Sequence, residues 1–130
     1  MKQRPSSERL LQSFADRQRL KTRVDVDGTL FIPGKLGHIY QYDADHLAVL
    51  VMPASFRRHY WGVTRGRLAK QGFTIVQDGD CEGAALFAPC DSEQARAAIR
   101  AAGILRKRRL SHTQVEKQIT WLRASAGRAL

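Results

Sequence analysis

Two cysteines, two tryptophans, two methionines and four prolines are all that 130 residues contain, and no long apolar run is present. Each shortage excludes something. Cys81 and Cys90 bracket a strand-like segment, and nine steps of ~3.3 Å set them about 30 Å apart. A disulfide needs Cα atoms within roughly 7 Å, so two free thiols in a reducing compartment are expected. His38, His46, His59 and His112 are scattered and form no ligand pair with each other or with the cysteines, so neither a metal nor a cofactor is expected. The longest apolar run, Leu47–Met52, is strand-sized and far below the ~18 residues of a membrane span. The opening MKQRPSSERLL is charged and lacks the continuous apolar stretch of a secretory signal. The expectation is a cytoplasmic, bacterial chain with no membrane partner.

Acidic residues are also scarce, 12 against 22 Lys and Arg, which leaves a formal charge of +10. That excess is segregated along the chain. Residues 1–24 carry net +5, 25–56 net −3, 57–72 net +5, 73–93 net −5 and 94–130 net +8. The positive segments read as helices and the negative ones as strands and turns. A fold of this kind can present a cationic helical surface, which suits a polyanion such as nucleic acid. Arg outnumbers Lys sixteen to six, and a guanidinium fork grips phosphate at two points.

Hydrophobic residues at 43% and charged residues at 26% describe an ordinary globular chain. Glu8–Lys21 reads as a first helix whose Leu10, Leu11 and Phe14 make only a narrow apolar stripe. It is expected to be a loosely docked basic arm, residues 1–24, ahead of a single domain, 25–130. Thr29–Ile32 is strand-like. Gly37–Tyr42 alternates His38, Tyr40 and Tyr42 against Ile39 and Gln41, as a half-buried strand does. Leu47–Met52, apolar on both faces, is predicted to be central. Ser55 is the expected N-cap of a helix running to Gly72, with Phe56, Tyr60, Val63 and Leu68 as its stripe and Trp61 at the edge. Gly62 and Gly66 weaken that helix and suggest close approach of another backbone or a ligand. Phe73–Val76 and Ala84–Ala88 form a second hairpin, and Asp91 caps an Ala-rich helix that stops at Gly103. Ser111 and Gln114 make a capping box, with a Leu110–Val115 staple, for a last helix.

The two halves resemble each other. Gln41 to Asp45, an apolar strand, Pro53 and Ser55 match Gln77 to Asp80, a strand, Pro89 and Ser92, and each half ends in a helix closed by Gly plus an apolar residue. The fold class expected is α+β: a mainly antiparallel sheet of about five strands with helices on one face, plus N- and C-terminal helices; a duplicated ββα unit and ordinary hairpin-then-helix order each account for the likeness.

Asp25-Val26-Asp27-Gly28-Thr29-Leu30 resembles the first motif of haloacid dehalogenase-like phosphatases. The resemblance covers six residues and implies Asp25 as nucleophile and Asp27 as acid/base. That chemistry needs Asp25 at the end of a buried parallel strand, and Leu20–Val24 is too charged for one. An Asp-Gly turn before a strand is the simpler reading. Asp43 with Asp45, and Asp78 with Asp80, fall in short turns where Asp bonds nearby backbone N–H groups. No Ser or Cys sits in a catalytic setting, and no catalytic residue is assigned.

The leading functional expectation is a nucleic-acid-binding accessory protein, DNA or RNA, rather than an enzyme. Arg58, Arg65, Arg106, Lys107, Arg108 and Arg109 are the expected phosphate contacts, with Tyr40 and Tyr42 as stacking surfaces for unpaired bases. The alternative is a protein-interaction module or homodimer docking through Trp61, Trp121, Leu10 and Phe14. Everything depends on the basic stretches converging once the chain folds.

Overall fold

The computed structural model describes residues 8–54 and 59–106. Over these it has an α+β fold: three helices on one face of an open, wholly antiparallel six-stranded sheet. In chain order the elements are α1 (Arg9–Gln18), β1 (Arg23–Val24), β2 (Leu30–Pro33), β3 (Gly37–Gln41) and β4 (Leu47–Val51). Then come α2 (Tyr60–Lys70), β5 (Thr74–Asp78), β6 (Gly83–Phe87) and α3 (Ser92–Ala102). The strands lie in the order β1-β2-β3-β4-β6-β5. The sixth strand, β1, was not foreseen because its two residues are both exposed and carry no alternation. The Ser55 cap and the helix expected after Ser111 lie outside the described residues.

Period-two burial marks a core face in β2 and β3, whereas β4 and β6 are buried on both faces, with Ala48 and Ala84 fully enclosed. Ile32, Ile39, Val49 and Ala85 meet in register across β2, β3, β4 and β6, all fully buried. Leu47, Val51 and Phe87 extend that row, and the helices cover it. As expected, β4 is central, paired on one side with β3 and on the other with β6. α1 is anchored rather than loosely held. Leu11, Phe14 and Ala15 are wholly buried, and the Phe14 ring meets Phe87 edge-on at 5.6 Å. The helix stops three residues before Lys21 because Arg19 turns left-handed (φ 58°), letting Leu20 fold back into the core.

The halves share more than sequence. Val49, the middle of β4, pairs with Ala85, the middle of β6, and Ala85 is the residue that the Pro53-to-Pro89 repeat places opposite it. The two units are thus related by a pseudo-two-fold axis through that pair. Each helix crosses to the other unit: α2, which follows β4, packs on β5 and β6, whereas α3, which follows β6, packs on β3 and β4. Both helices end alike. Gly72 and Gly103 have positive φ, and the next N–H groups, of Phe73 and Ile104, donate to the Leu68 and Ile99 carbonyls at 3.1 and 3.0 Å. These are Schellman closures, where only glycine turns without strain. At the other end of α3 the Asp91 carboxylate accepts from the Glu93 and Gln94 N–H groups, as a capping residue should.

The buried stripe of α2 is rotated from its predicted position. Trp61, Thr64 and Leu68 are buried, while Val63 is 57% exposed. Trp61 turns inward because Gly83 leaves room: a Cβ there would lie 2.0 and 2.2 Å from indole carbons. Gly62 and Gly66 are exposed with nothing within 4 Å of a Cβ built on either, so no described backbone approaches them. Gly83→Ala is therefore expected to lower stability by about 1–3 kcal/mol. Gly62→Ala and Gly66→Ala should each raise it by up to about 1 kcal/mol. Urea midpoints of the three variants check both signs; a stable Gly83→Ala protein would contradict the Trp61 packing.

Candidate nucleic-acid interface

The expected phosphate-contact residues do not all fall where one surface would need them. Arg58, Lys107, Arg108 and Arg109 lie outside the described residues. Arg65 is on α2 and is already paired: its guanidinium donates to both Asp78 carboxylate oxygens, at 3.0 and 2.8 Å. Arg106 follows α3 and donates to the Gln18 side-chain oxygen at 2.7 Å. Positions 65 and 67 differ by about 200° around a helix, so Arg65 projects toward β5 while Arg67 projects toward α3.

On that second flank the structure builds a site. α2 and α3 run antiparallel, tied at one end by the Tyr60 hydroxyl donating to the Ala101 carbonyl (2.9 Å). At the other end the Gln94 amide donates to the Gln71 carbonyl (2.8 Å). Between them lies an open cleft of about 540 Å³. Arg67 and Lys70 line it from α2, Arg96 and Arg100 from α3, and Glu93 is its single carboxylate. All four cations are exposed. Among the described residues the side-chain ion pairs are Arg65–Asp78 and His46–Asp43, and neither involves these four. Leu68, Ala97 and Ala101 give the cleft a partly apolar floor. Part of the charge also serves the helices, since Lys70 and Arg100 stand in last turns and Glu93 in a first turn.

These four cations were missed because they are isolated in sequence rather than clustered. The available signal was positional: each lies beside its helix's buried stripe, at i, i+3 in α2 and i, i+4 in α3. Residue 59, which opens α2, and residue 106, which follows α3, both belong to the end marked by Tyr60 and Ala101.

The aromatic candidates are elsewhere. Tyr40 pairs with Phe31 and His38 with Pro33, on the opposite sheet face from Ile32 and Ile39. There the His38 ring stands 5.4 Å from Phe31 and 5.9 Å from Tyr40. Burial lowers the His38 pKa and, with Tyr42 nearby, raises that of Tyr40. Tyr42 is half exposed. The sheet separates this aromatic group from the cationic cleft, so one ligand strand in the cleft does not reach it. Of the side chains expected to dock a protein partner, Trp61 and Phe14 are buried in the core, Leu10 packs against that core, and Trp121 lies outside the described residues.

The aspartates are tied up locally. An Asp25 carboxylate oxygen accepts from the Asp27 and Thr29 N–H groups at 2.9 Å, closing a turn in which Gly28 has φ 82°. β1 and β2 flank that turn as an antiparallel hairpin, the geometry of the simple turn and not of a parallel strand end. Asp43 accepts from the Asp45 and His46 N–H groups, which holds its pKa below the usual value. Among the described residues no three His, Cys, Asp or Glu side chains gather as a metal would require. Cys81 and Cys90 are exposed free thiols at opposite ends of β6.

Asp78 is held below its ordinary pKa of 3.8, first by the Trp61 indole N–H at 2.9 Å and then by Arg65. A depressed carboxylate stabilises the fold fully above that ordinary value and loses its contribution as pH falls through the lower folded value. Asp78→Asn should accordingly flatten part of the loss of stability below about pH 4, measured by denaturant unfolding across pH. An unchanged acid limb would show that the Trp61–Asp78–Arg65 contact contributes nothing. No family model matches this chain, and no curated protein or solved structure matches it.

Proposed function

We propose that this protein is a nucleic-acid-binding accessory factor, not an enzyme, that grips phosphates in the α2–α3 cleft. The single observation behind this is the lining of that cleft, four exposed cations to one carboxylate. Arg67, Lys70, Arg96 and Arg100 make the phosphate contacts. Arg58, Arg106, Lys107, Arg108 and Arg109 add further phosphate contacts in this reading, and Arg65 acts through its pairing with Asp78. A cytoplasmic site of action fits the two free, exposed thiols. A described helix long and apolar enough to cross a membrane is not found.

Phosphate neutralisation releases counterions, so affinity should fall with salt, with a log–log slope of roughly −3 or steeper for four or more contacts. Reversing charge in an Arg67→Glu/Arg96→Glu double variant should make that slope shallower by about 1–2 and weaken binding to all sequences alike. Fluorescence anisotropy with mixed-sequence DNA and RNA, at several salt concentrations, measures both. Undetectable binding at low salt would sink the proposal. A double variant that binds as the wild type does would move the interface away from the cleft.

A further inference from the structure

The cleft's shape narrows the ligand. We infer that it takes single-stranded nucleic acid in preference to a duplex, an inference that rests on the phosphate-binding reading above. α2 and α3 both lie flat on the sheet, with the sheet closing the space behind them. The two helices stand side by side, tied at their ends by Tyr60 and Gln94, and each is about 10–12 Å across with its side chains. Side by side they form a ridge pair of roughly 20 Å, whereas a major groove of about 12 Å admits one helix. Neither α2 nor α3 can enter a duplex groove while the other stays packed beside it. A duplex could only rest on the outer ridges.

The interior of the cleft suits something thinner. Its cations come from both walls, Arg67 and Lys70 facing Arg96 and Arg100, so a backbone lying between them is neutralised from two sides. A single strand brings one such backbone together with bases free of partners. Those bases need an apolar or planar surface, and the cleft offers both. Tyr60 and Ala97 are partly exposed in its lining, while Leu68 and Ala101 are buried, and three guanidinium planes stand on the walls, where unstacked bases can lie. α2 and α3 have eleven residues each, so the cleft runs roughly 16 Å and holds only a few nucleotides. Paired bases have their faces covered by neighbours and gain nothing from this floor.

The test compares one sequence as a single-stranded DNA 15-mer, a single-stranded RNA 15-mer and a DNA duplex, by anisotropy at matched salt. At least about tenfold tighter binding of the single strands is expected, equivalent to one stacked base. Ala97→Gln fills the floor with an uncharged polar side chain that offers bases no stacking plane, and should reduce single-strand affinity by about tenfold, more than it reduces duplex affinity. Arg96→Glu, at an exposed position, serves as a second variant that tests the wall rather than the packing. It should weaken single strands more than duplex. Duplex binding equal to or tighter than single-strand binding would overturn the inference while leaving phosphate binding in place. A preference for single strands over duplex that is unchanged in both variants would also overturn it, by placing the selective surface outside the cleft. No binding of any of the three probes would instead remove the broader proposal.

Discussion

The antiparallel pairing of β4 with β6 is the contact on which the remaining architecture depends. It joins two ββα units at their most apolar strands and places Val49 against Ala85 on the pseudo-two-fold axis. Because each helix follows its strand and then crosses to the other unit, α2 and α3 are forced to lie next to each other and to run in opposite directions. The cleft is a consequence of this exchange rather than a separate construction. Small residues make the exchange tight. Ala85 and Gly83 on β6 leave room for α3 and for the Trp61 ring, while α3 presents Ala95, Ala98, Ala101 and Ala102 to the sheet.

The division of charge has a local cause and a global effect. Asp25, Asp43 and Asp91 each accept hydrogen bonds from backbone N–H groups within a few residues. Their carboxylates close turns and start a helix, so they remain where the strands turn. Asp78 is the exception, reaching Trp61 and Arg65 on α2. It takes one guanidinium out of the cationic set and leaves the opposite flank of the helix unneutralised. A helix that presents one basic side chain to β5 and two more to α3 therefore has two electrostatic faces. Among the described residues, the face toward α3 is the one that meets cations from another element.

Much of the fold follows from local rules that act over a few residues. Positive-φ glycines ended both central helices at Gly72 and Gly103, Asp91 started α3, alternation marked β3, and a run apolar on both faces marked the central β4. Local rules failed where the deciding contact came from far away in sequence. Val63 was expected inside because it matches the spacing of Tyr60 and Leu68, but Gly83, twenty residues on, gives Trp61 a place to go and the helix rolls accordingly. Gly62 and Gly66 suggested a close neighbour, and they face open space. Arg65 looked like a free cation until β5 brought Asp78 beside it.

The candidate site divides in the same way. Composition and order alone determined that the chain is basic, that blocks of net positive and net negative charge alternate along it, and that two similar stretches succeed each other. These are properties of residues and their immediate neighbours. Which cations stand together was decided only by tertiary structure. Arg67 and Lys70 are separated from Arg96 and Arg100 by nearly thirty residues of strand, turn and strand, and no local preference links them. The β4–β6 register brings them to the two walls of one cleft, because strand pairing fixes where each helix must lie before any side chain on its outer surface has a neighbour.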